Sequence, residues 1–280
     1  MPEGDSVYQL ARRLQFMAGR RVVSSSLRVP RYATVDFTGS VCRQVWPYGK
    51  HLFMAFGEQI MHTHLKMEGT WSVNHHGEKW RKPGFTARVV LVVDGGQGSG
   101  TDIEIVGHNL GLVEVFPVAD YRQRMGYLGP DVLKQHWLTG GCEQAKQRIL
   151  ARPDRAVGAA LLDQRNLAGV GNEYRAEICF LAGVHPATAV KDTDIDTILA
   201  LTRKLMWDNR NSDLRVTTGV RRAGESTYVF GRYMKPCRRC GTPVGKGFLG
   251  GADRGGDDGE LERVIWFCPV CQPVPDNPAG

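Results

Sequence analysis

The chain has no apolar run approaching the ~18 residues that a membrane-spanning helix needs, and its N-terminus lacks the charged-then-apolar pattern of a secretory signal. These absences argue against a membrane-spanning helix and a secretory signal, and the expectation is a soluble, cytosolic protein. No internal repeat is visible, so the fold is assembled from unlike parts. Cysteine is scarce over most of the chain: Cys42, Cys142 and Cys179 stand alone and read as small buried residues. Acids are scarce in one place. Between Arg203 and Lys246 eleven Lys or Arg face only Asp208, Asp213 and Glu225, a local net of +8, which leaves about −1 for the rest of a chain whose net charge is +7. Such a concentration points to a face that binds a polyanion.

What is present begins with size. At 280 residues, 42% of them hydrophobic, the chain has material for two domains and a small appendage, and 34 glycines with 14 prolines imply many turns. Val7, Leu10, Ala11, Leu14 and Met17 recur at helical spacing over Asp5–Met17, with Asp5 or Ser6 as the expected N-cap. Short β-like runs follow: Arg21–Val29, Val41–Trp46, His51–Phe56, Gln59–Leu65, Thr70–Val73, Ala87–Val93, Ile103–Val106 and Leu112–Phe116, which predict an antiparallel sandwich or barrel. Gly95–Gly100 reads as a flexible hairpin tip.

Near Asp120 the pattern turns helical, with Cys142–Leu150, Ala156–Gln164, Asn172–Leu181 and Asp194–Asn209 as expected helices. An Arg-rich β-like stretch (Leu214–Arg222, Ser226–Tyr233) leads into two C-x2-C pairs. The fold class is therefore α+β: an N-terminal helix with a β-sandwich over residues 1–120, a linker at 121–131, a helical domain at 132–228, a cysteine-bearing β-hairpin at 229–272 and a disordered tail at 273–280.

Cys237, Cys240, Cys268 and Cys271 predict one structural zinc, because four thiolates fill a tetrahedral sphere and leave no open catalytic position. The 27 residues between Cys240 and Cys268 suffice for a hairpin with an extended tip, the Gly250–Glu260 stretch reads as a mobile loop, and Arg263 lies five residues before Cys268. In the middle of the chain, Asn166–Arg175 sets two helices about a glycine-bearing turn. Free N–H groups at the second helix's start, near Asn172, make a phosphate site there; an ordinary helical hairpin is the alternative. His62 and His64 alternate on a strand with no carboxylate or cysteine nearby in sequence, which argues against a metal there.

The Met1-Pro2-Glu3-Gly4 start, the Tyr48-Gly49-Lys50-His51-Leu52 stretch, Asn166–Arg175 and a cysteine finger with an arginine before its second pair together resemble the formamidopyrimidine-DNA glycosylase/endonuclease VIII family of bifunctional base-excision repair enzymes. The resemblance runs in order from residue 2 to about residue 272. It implies a helix-two-turn-helix domain and a zinc finger, double-stranded DNA with a damaged base or abasic site as partner, no organic cofactor, and a monomeric, nucleoid-associated bacterial protein. It also implies that Pro2, freed of Met1, attacks C1′ of the damaged nucleotide, that Glu3 handles protons, and that Lys50 assists glycosidic cleavage and contacts phosphate. Asn172 and Arg263 match phosphate contacts, Arg175 is a further DNA contact, and Met67 in Leu65–Gly69 matches the wedge that fills the gap left by an extruded nucleotide; a core methionine is the alternative.

Amine chemistry favours Pro2 independently. An α-amino group titrates near ~8 and a lysine near ~10.4, so at neutral pH far more of the former is free base. Two departures from the family pattern matter. Ser6 stands where many relatives carry a second glutamate, which places proton transfer on Glu3, and His108-Asn109-Leu110-Gly111 replaces the Arg-Arg-Phe-Gly run of the 8-oxoguanine branch. The resemblance thus leans to endonuclease VIII and oxidised pyrimidines. A purine-preferring formamidopyrimidine-type enzyme and a non-catalytic zinc-dependent DNA-binding protein are the alternatives.

Overall fold

In the computed structural model, which describes residues 2–96, 100–250 and 263–276, the chain forms two compact units, Met1–Gly126 and Tyr127–Gly280. The expectations for the tip at residues 97–99, for most of the Gly250–Glu260 loop and for the last four residues lie outside the described residues. No helix among the described residues is long and apolar enough to cross a membrane.

The first unit opens with α1 (Gly4–Arg13), followed by β1 (Val22–Leu27), β2 (Cys42–Tyr48), β3 (His51–Phe56), β4 (Gln59–His64), β5 (Thr70–His75), β6 (Ala87–Val93), β7 (Ile103–His108), β8 (Leu112–Pro117) and the short α2 (Tyr121–Met125). Two antiparallel sheets result, ordered β1-β6-β7-β5 and β2-β3-β4-β8. Their inner faces share one core: Val22, Leu27, Val89, Leu91 and Ile105 from the first sheet meet Val45, Leu52, Met54, Phe56 and Met61 from the second. The apolar stripe of α1, Val7, Leu10, Ala11 and Leu14, joins that core, each full burial of a large side chain being worth about 2 kcal/mol. Strand β3 is buried on both faces. Its alternate residues Phe53 and Ala55 pack outward with Ile60 and Phe116, under Tyr121 and Met125 of α2.

The helix starts earlier than its pattern predicts. Glu3 takes the extended N-cap position and Asp5 lies inside the first turn, buried, because pinning the terminus against β2 and β3 sets the start rather than a side-chain cap.

The second unit contains α3 (Gly141–Leu150), α4 (Val157–Leu162), α5 (Asn172–Ala182), α6 (Ile195–Asn209) and a two-stranded antiparallel hairpin, β9 (Gly245–Leu249) with β10 (Arg263–Phe267). The stretch expected as a linker is ordered. Tyr121–Met125 is helical, and beyond the unit boundary Gly129 donates to Gln164 O at 2.7 Å while Pro130 O accepts from Ala168 N at 2.9 Å. A Cβ on Gly129 would lie 2.4 Å from the Asn166 carbonyl carbon, so this approach requires glycine.

The Leu214–Tyr233 stretch, expected to be β-like, holds no strand among the described residues. Its backbone is instead anchored by side chains. Buried Glu177 accepts from Tyr228 N (2.7 Å), Val229 N (2.9 Å), Phe230 N (2.9 Å) and the Thr217 hydroxyl. These bonds satisfy donors that a sheet would otherwise serve. The hairpin shares its core with the helices: Ala176 and Phe180 of α5 pack with Val229, Cys237, Val244 and Cys268, and Ala156 and Ala159 pack with Leu249 and Ile265. Gln272, the last residue before the expected tail, is buried, accepting from Cys268 N and donating to Val184 O.

Candidate functional site

Each unit carries chemistry-bearing residues. In the first, Pro2 is partly buried at the mouth of α1, and Glu3 beside it is fully buried. The positive end of the α1 dipole lies at this terminus. Asp5 is 2% exposed, and its Oδ1 accepts from Ser6 N at 2.8 Å and Ser6 Oγ at 3.3 Å. A second carboxylate therefore does sit near the terminus, one residue from where relatives place it. The sequence showed Asp5 but suggested a cap, since its burial comes from the docking of α1.

Lys50 occupies the two-residue turn between β2 and β3, where Tyr48 pairs with His51 and Gly49 has φ +54°, the left-handed geometry that favours glycine. Here α1 packs on both strands that the turn joins.

Met67 sits in the β4–β5 turn with 64% of its surface exposed, so it is no core methionine. Leu65 anchors the turn by burial, Gly69 N donates to Leu65 O at 2.9 Å, and a Cβ on Gly69 would meet that oxygen at 2.5 Å. The neighbouring β7–β8 turn lies close: Gly111 N donates to His64 O at 3.0 Å, while His108 and Leu110 are buried.

In the second unit, the turn between α4 and α5 is fastened from within. Gln164 Nε2 donates to Leu162 O (2.8 Å) and Val170 O (3.0 Å), its Oε1 accepts from Gly169 N (3.0 Å), and Asp163 pairs with Arg155 at 2.8 Å. Gly171, rather than an asparagine, is the N-cap, and Asn172 is the first helical residue. Asn172 Nδ2 donates to Val264 O of β10 at 3.0 Å. Arg175 is 1% exposed; its Nη2 donates to Asn172 Oδ1 and, at 2.7 Å, to Val264 O. The expectation that Arg175 touches DNA does not match this burial: the guanidinium braces the helix start against the hairpin. Arg263 begins β10, exposed, opposite Leu249.

The four cysteines converge, their Sγ atoms all within 4.8 Å of one another. Tetrahedral Zn–S bonds of 2.3 Å place sulfurs about 3.8 Å apart. Cys237 and Cys268 also receive N–H groups, from Arg239 at 3.4 Å and Cys271 at 3.5 Å, which suit sulfurs carrying negative charge. The donor set fits a structural zinc.

Not all of the eleven basic residues face solvent. Arg232 is buried on backbone carbonyls and Arg215 pairs with Glu173 at 2.6 Å, whereas Arg221, Arg222, Lys235, Arg238, Arg239 and Lys246 are exposed. Glu177, which holds the 217–230 segment, was not legible as functional support. The only sequence signal was an acid amid apolar helix positions.

Comparison with known proteins identifies a common family for both units. Residues 1–107 match the formamidopyrimidine-DNA glycosylase N-terminal domain, and residues 128–208 match the formamidopyrimidine-DNA glycosylase H2TH domain. A probable endonuclease 8 2 of Streptomyces coelicolor is 43% identical, covering 100% of this chain and 97% of that protein. A DNA-(apurinic or apyrimidinic site) lyase Nei2 of Mycolicibacterium smegmatis is 39% identical, covering 97% and 99%. Among solved structures, MutM in complex with carbocyclic 8-oxo-G containing DNA superposes with a TM-score of 0.74 at 19% identity, over 97% of this chain and 100% of that one, a likeness of fold.

Proposed function

The chain belongs to the formamidopyrimidine-DNA glycosylase/endonuclease VIII family, and we propose that it excises oxidised pyrimidines from double-stranded DNA through an imine on Pro2 and then cuts the strand at the resulting abasic site. The observation that carries this reading is the N-terminal arrangement: a proline followed by a fully buried carboxylate, Glu3, at the positive end of a helix docked on the strands that carry the Lys50 turn.

In this reading Met1 is removed and the Pro2 nitrogen attacks C1′ as the glycosidic bond breaks. The departing base takes a proton, and loss of the proline N–H proton with opening of the sugar leaves a cationic imine. That cation acidifies C2′; removal of a C2′ proton expels the 3′ phosphate by β-elimination. Glu3, with Asp5 behind it, is the proton-handling carboxylate. Lys50 contacts phosphate, and Met67 enters the stack where the nucleotide leaves it. Asn172 and Arg263 hold phosphates, with Arg175 acting through Asn172 and β10. Zinc on Cys237, Cys240, Cys268 and Cys271 supplies structure only and keeps Arg263 in place.

The preference for pyrimidines is supported by the β7–β8 turn, whose His108 and Leu110 are buried and which carries no arginine to read an opposing cytosine. A lesion panel tests it: thymine glycol is expected to be excised faster than 8-oxoguanine opposite cytosine, and equal or greater activity on 8-oxoguanine would reverse the branch assignment.

Phosphate binding has its own signature. With about five phosphates neutralised, log K is expected to fall against log salt with a slope of about −4.5. A flat response in a fluorescence-anisotropy titration would remove the basic face from the interface.

A further inference from the structure

The outer face of the β2-β3-β4-β8 sheet carries a hydrogen-bonded line of side chains that the reaction as described does not use. It crosses three adjacent strands. Glu114 of β8 pairs in register with His62 of β4, and its Oε2 lies 3.1 Å from His62 Nδ1. On its other side, His62 Nε2 lies 2.8 Å from His51 Nδ1 of β3. His62 is 2% exposed and His51 9%, while the Glu114 side chain keeps 28% of its surface, so the line runs from a partly wetted carboxylate into the sheet. Phe53 stacks on His62, with ring centroids 4.7 Å apart, and fixes its plane.

Proton positions in this line are not independent. An ionised carboxylate only accepts, so His62 Nδ1 carries the proton. Neutral His62 then has a lone pair on Nε2, and the 2.8 Å contact requires His51 Nδ1 to be the donor. Neutral His51 is left with a lone pair on its own Nε2. Both imidazoles are neutral for clear reasons. Burial, then the charges of His62, His64, Lys50 and Lys66, pushes His51 down to about 3. Burial also lowers His62, with Arg124 of α2 acting in the same direction and Glu114 opposing.

The end of the line is the informative part. His51 directly follows Lys50 and faces His64, whose ring centroid lies 4.9 Å away. His64 Nδ1 accepts from Lys66 N at 2.9 Å, so neutral His64 carries its proton on Nε2. The two rings, both acted on by the charges of Lys50 and Lys66, therefore offer opposite polarities: one N–H donor and one acceptor. A DNA phosphodiester oxygen only accepts, which suits the His64 donor and the lysines and leaves the His51 acceptor unmatched. An ammonium group, with three donors, matches it.

We propose that Glu114, His62 and His51 form a tautomer-fixing chain whose product, the lone pair on His51 Nε2, positions the Lys50 ammonium for the bound nucleotide. These three are positioning residues. The inference rests on the reading of Lys50 as a reaction-assisting, phosphate-contacting lysine.

Two measurements on the full chain test it. Nitrogen-15 NMR of the native protein labelled in histidine is expected to show His51 and His62 protonated at Nδ1 and unprotonated at Nε2; the reverse tautomer at His51 overturns the proposal whatever the variants do. In single-turnover cleavage at saturating DNA, Glu114→Val is expected to slow the reaction about tenfold, as loss of an outer orienting carboxylate does elsewhere. Glu114→Gln, whose Oε1 still accepts from His62, is expected to keep the native rate. A native rate for Glu114→Val, or equal losses in both variants, overturns the proposal. Lys50→Ala run in parallel separates the two readings: a native rate there refutes the role of Lys50 itself, whereas a slow Lys50→Ala beside a native Glu114→Val refutes only the chain. In Lys50→Ala, adding Glu114→Val is expected to slow the reaction no further, and a second tenfold loss counts against coupling through Lys50.

Discussion

Leaving a single extra residue on the Pro2 nitrogen is expected to abolish both base excision and the borohydride-trapped adduct with abasic DNA, by at least ~10³-fold or about 4 kcal/mol in the barrier. Acylation turns the secondary amine into an amide whose lone pair is delocalised into the carbonyl, so the attacking pair is gone while the fold is not. α1 owes its place to Val7, Leu10, Ala11 and Leu14 in the sandwich core, none of which the extension touches. Binding of DNA that contains a non-cleavable abasic analogue is therefore expected to survive, and that survival distinguishes loss of the nucleophile from loss of the structure. Pro2→Gly is a milder form of the same test. It keeps a terminal amine but surrenders the ring that fixes φ, and it is expected to trap far less product than the native chain. Full trapping by the blocked protein would move the nucleophile to a lysine, with Lys50 the first to examine.

Much of this was legible in the chain because local patterns and tertiary demands agree. The His51–Phe56 and Ala87–Val93 runs become β3 and β6 with the expected bounds, since strands with nearly every residue buried must read as apolar runs. The cysteine pairs converge as their spacing implies. What escaped the sequence are polar groups whose burial depends on distant partners. Glu177 is legible as an acid on α5 but not as the acceptor for a segment 40 to 53 residues away, and the Arg-rich stretch it holds was therefore expected to be β-like. Arg175 next to the two-turn motif looked like a DNA contact because the position of Val264 O, 89 residues on, is set by the hairpin. His62 seemed to lack any carboxylate because Glu114 is 52 residues away in sequence and is brought to it by strand pairing.

Removing the metal is expected to cost more than the hairpin. Zinc held by four cysteines contributes on the order of 10 kcal/mol to folding, comparable to the whole stability of a typical domain. In this chain Cys237 and Cys268 lie in one apolar cluster with Ala176 and Phe180 of α5, and Leu249 and Ile265 pack on α4. The sulfurs therefore hold the helices together with the hairpin, and no separable finger is available to melt alone. Chelation, or Cys268→Ser at a fully buried sulfur, is expected to unfold much of the 127–280 unit and to weaken DNA binding at least ~100-fold, since Asn172 and Arg175 both bond Val264 O of β10. The sandwich has its own core and is expected to remain folded, so thermal melts of the apo protein should show one retained β-rich transition and one lost. Tryptophan emission is a suitable probe for the second, because Trp266 packs on Phe230 in the cluster that dissolves. If chelation loosened only the hairpin, leaving α5 protected in hydrogen exchange, the shared core would not be the route by which zinc acts on the residues proposed to hold phosphate.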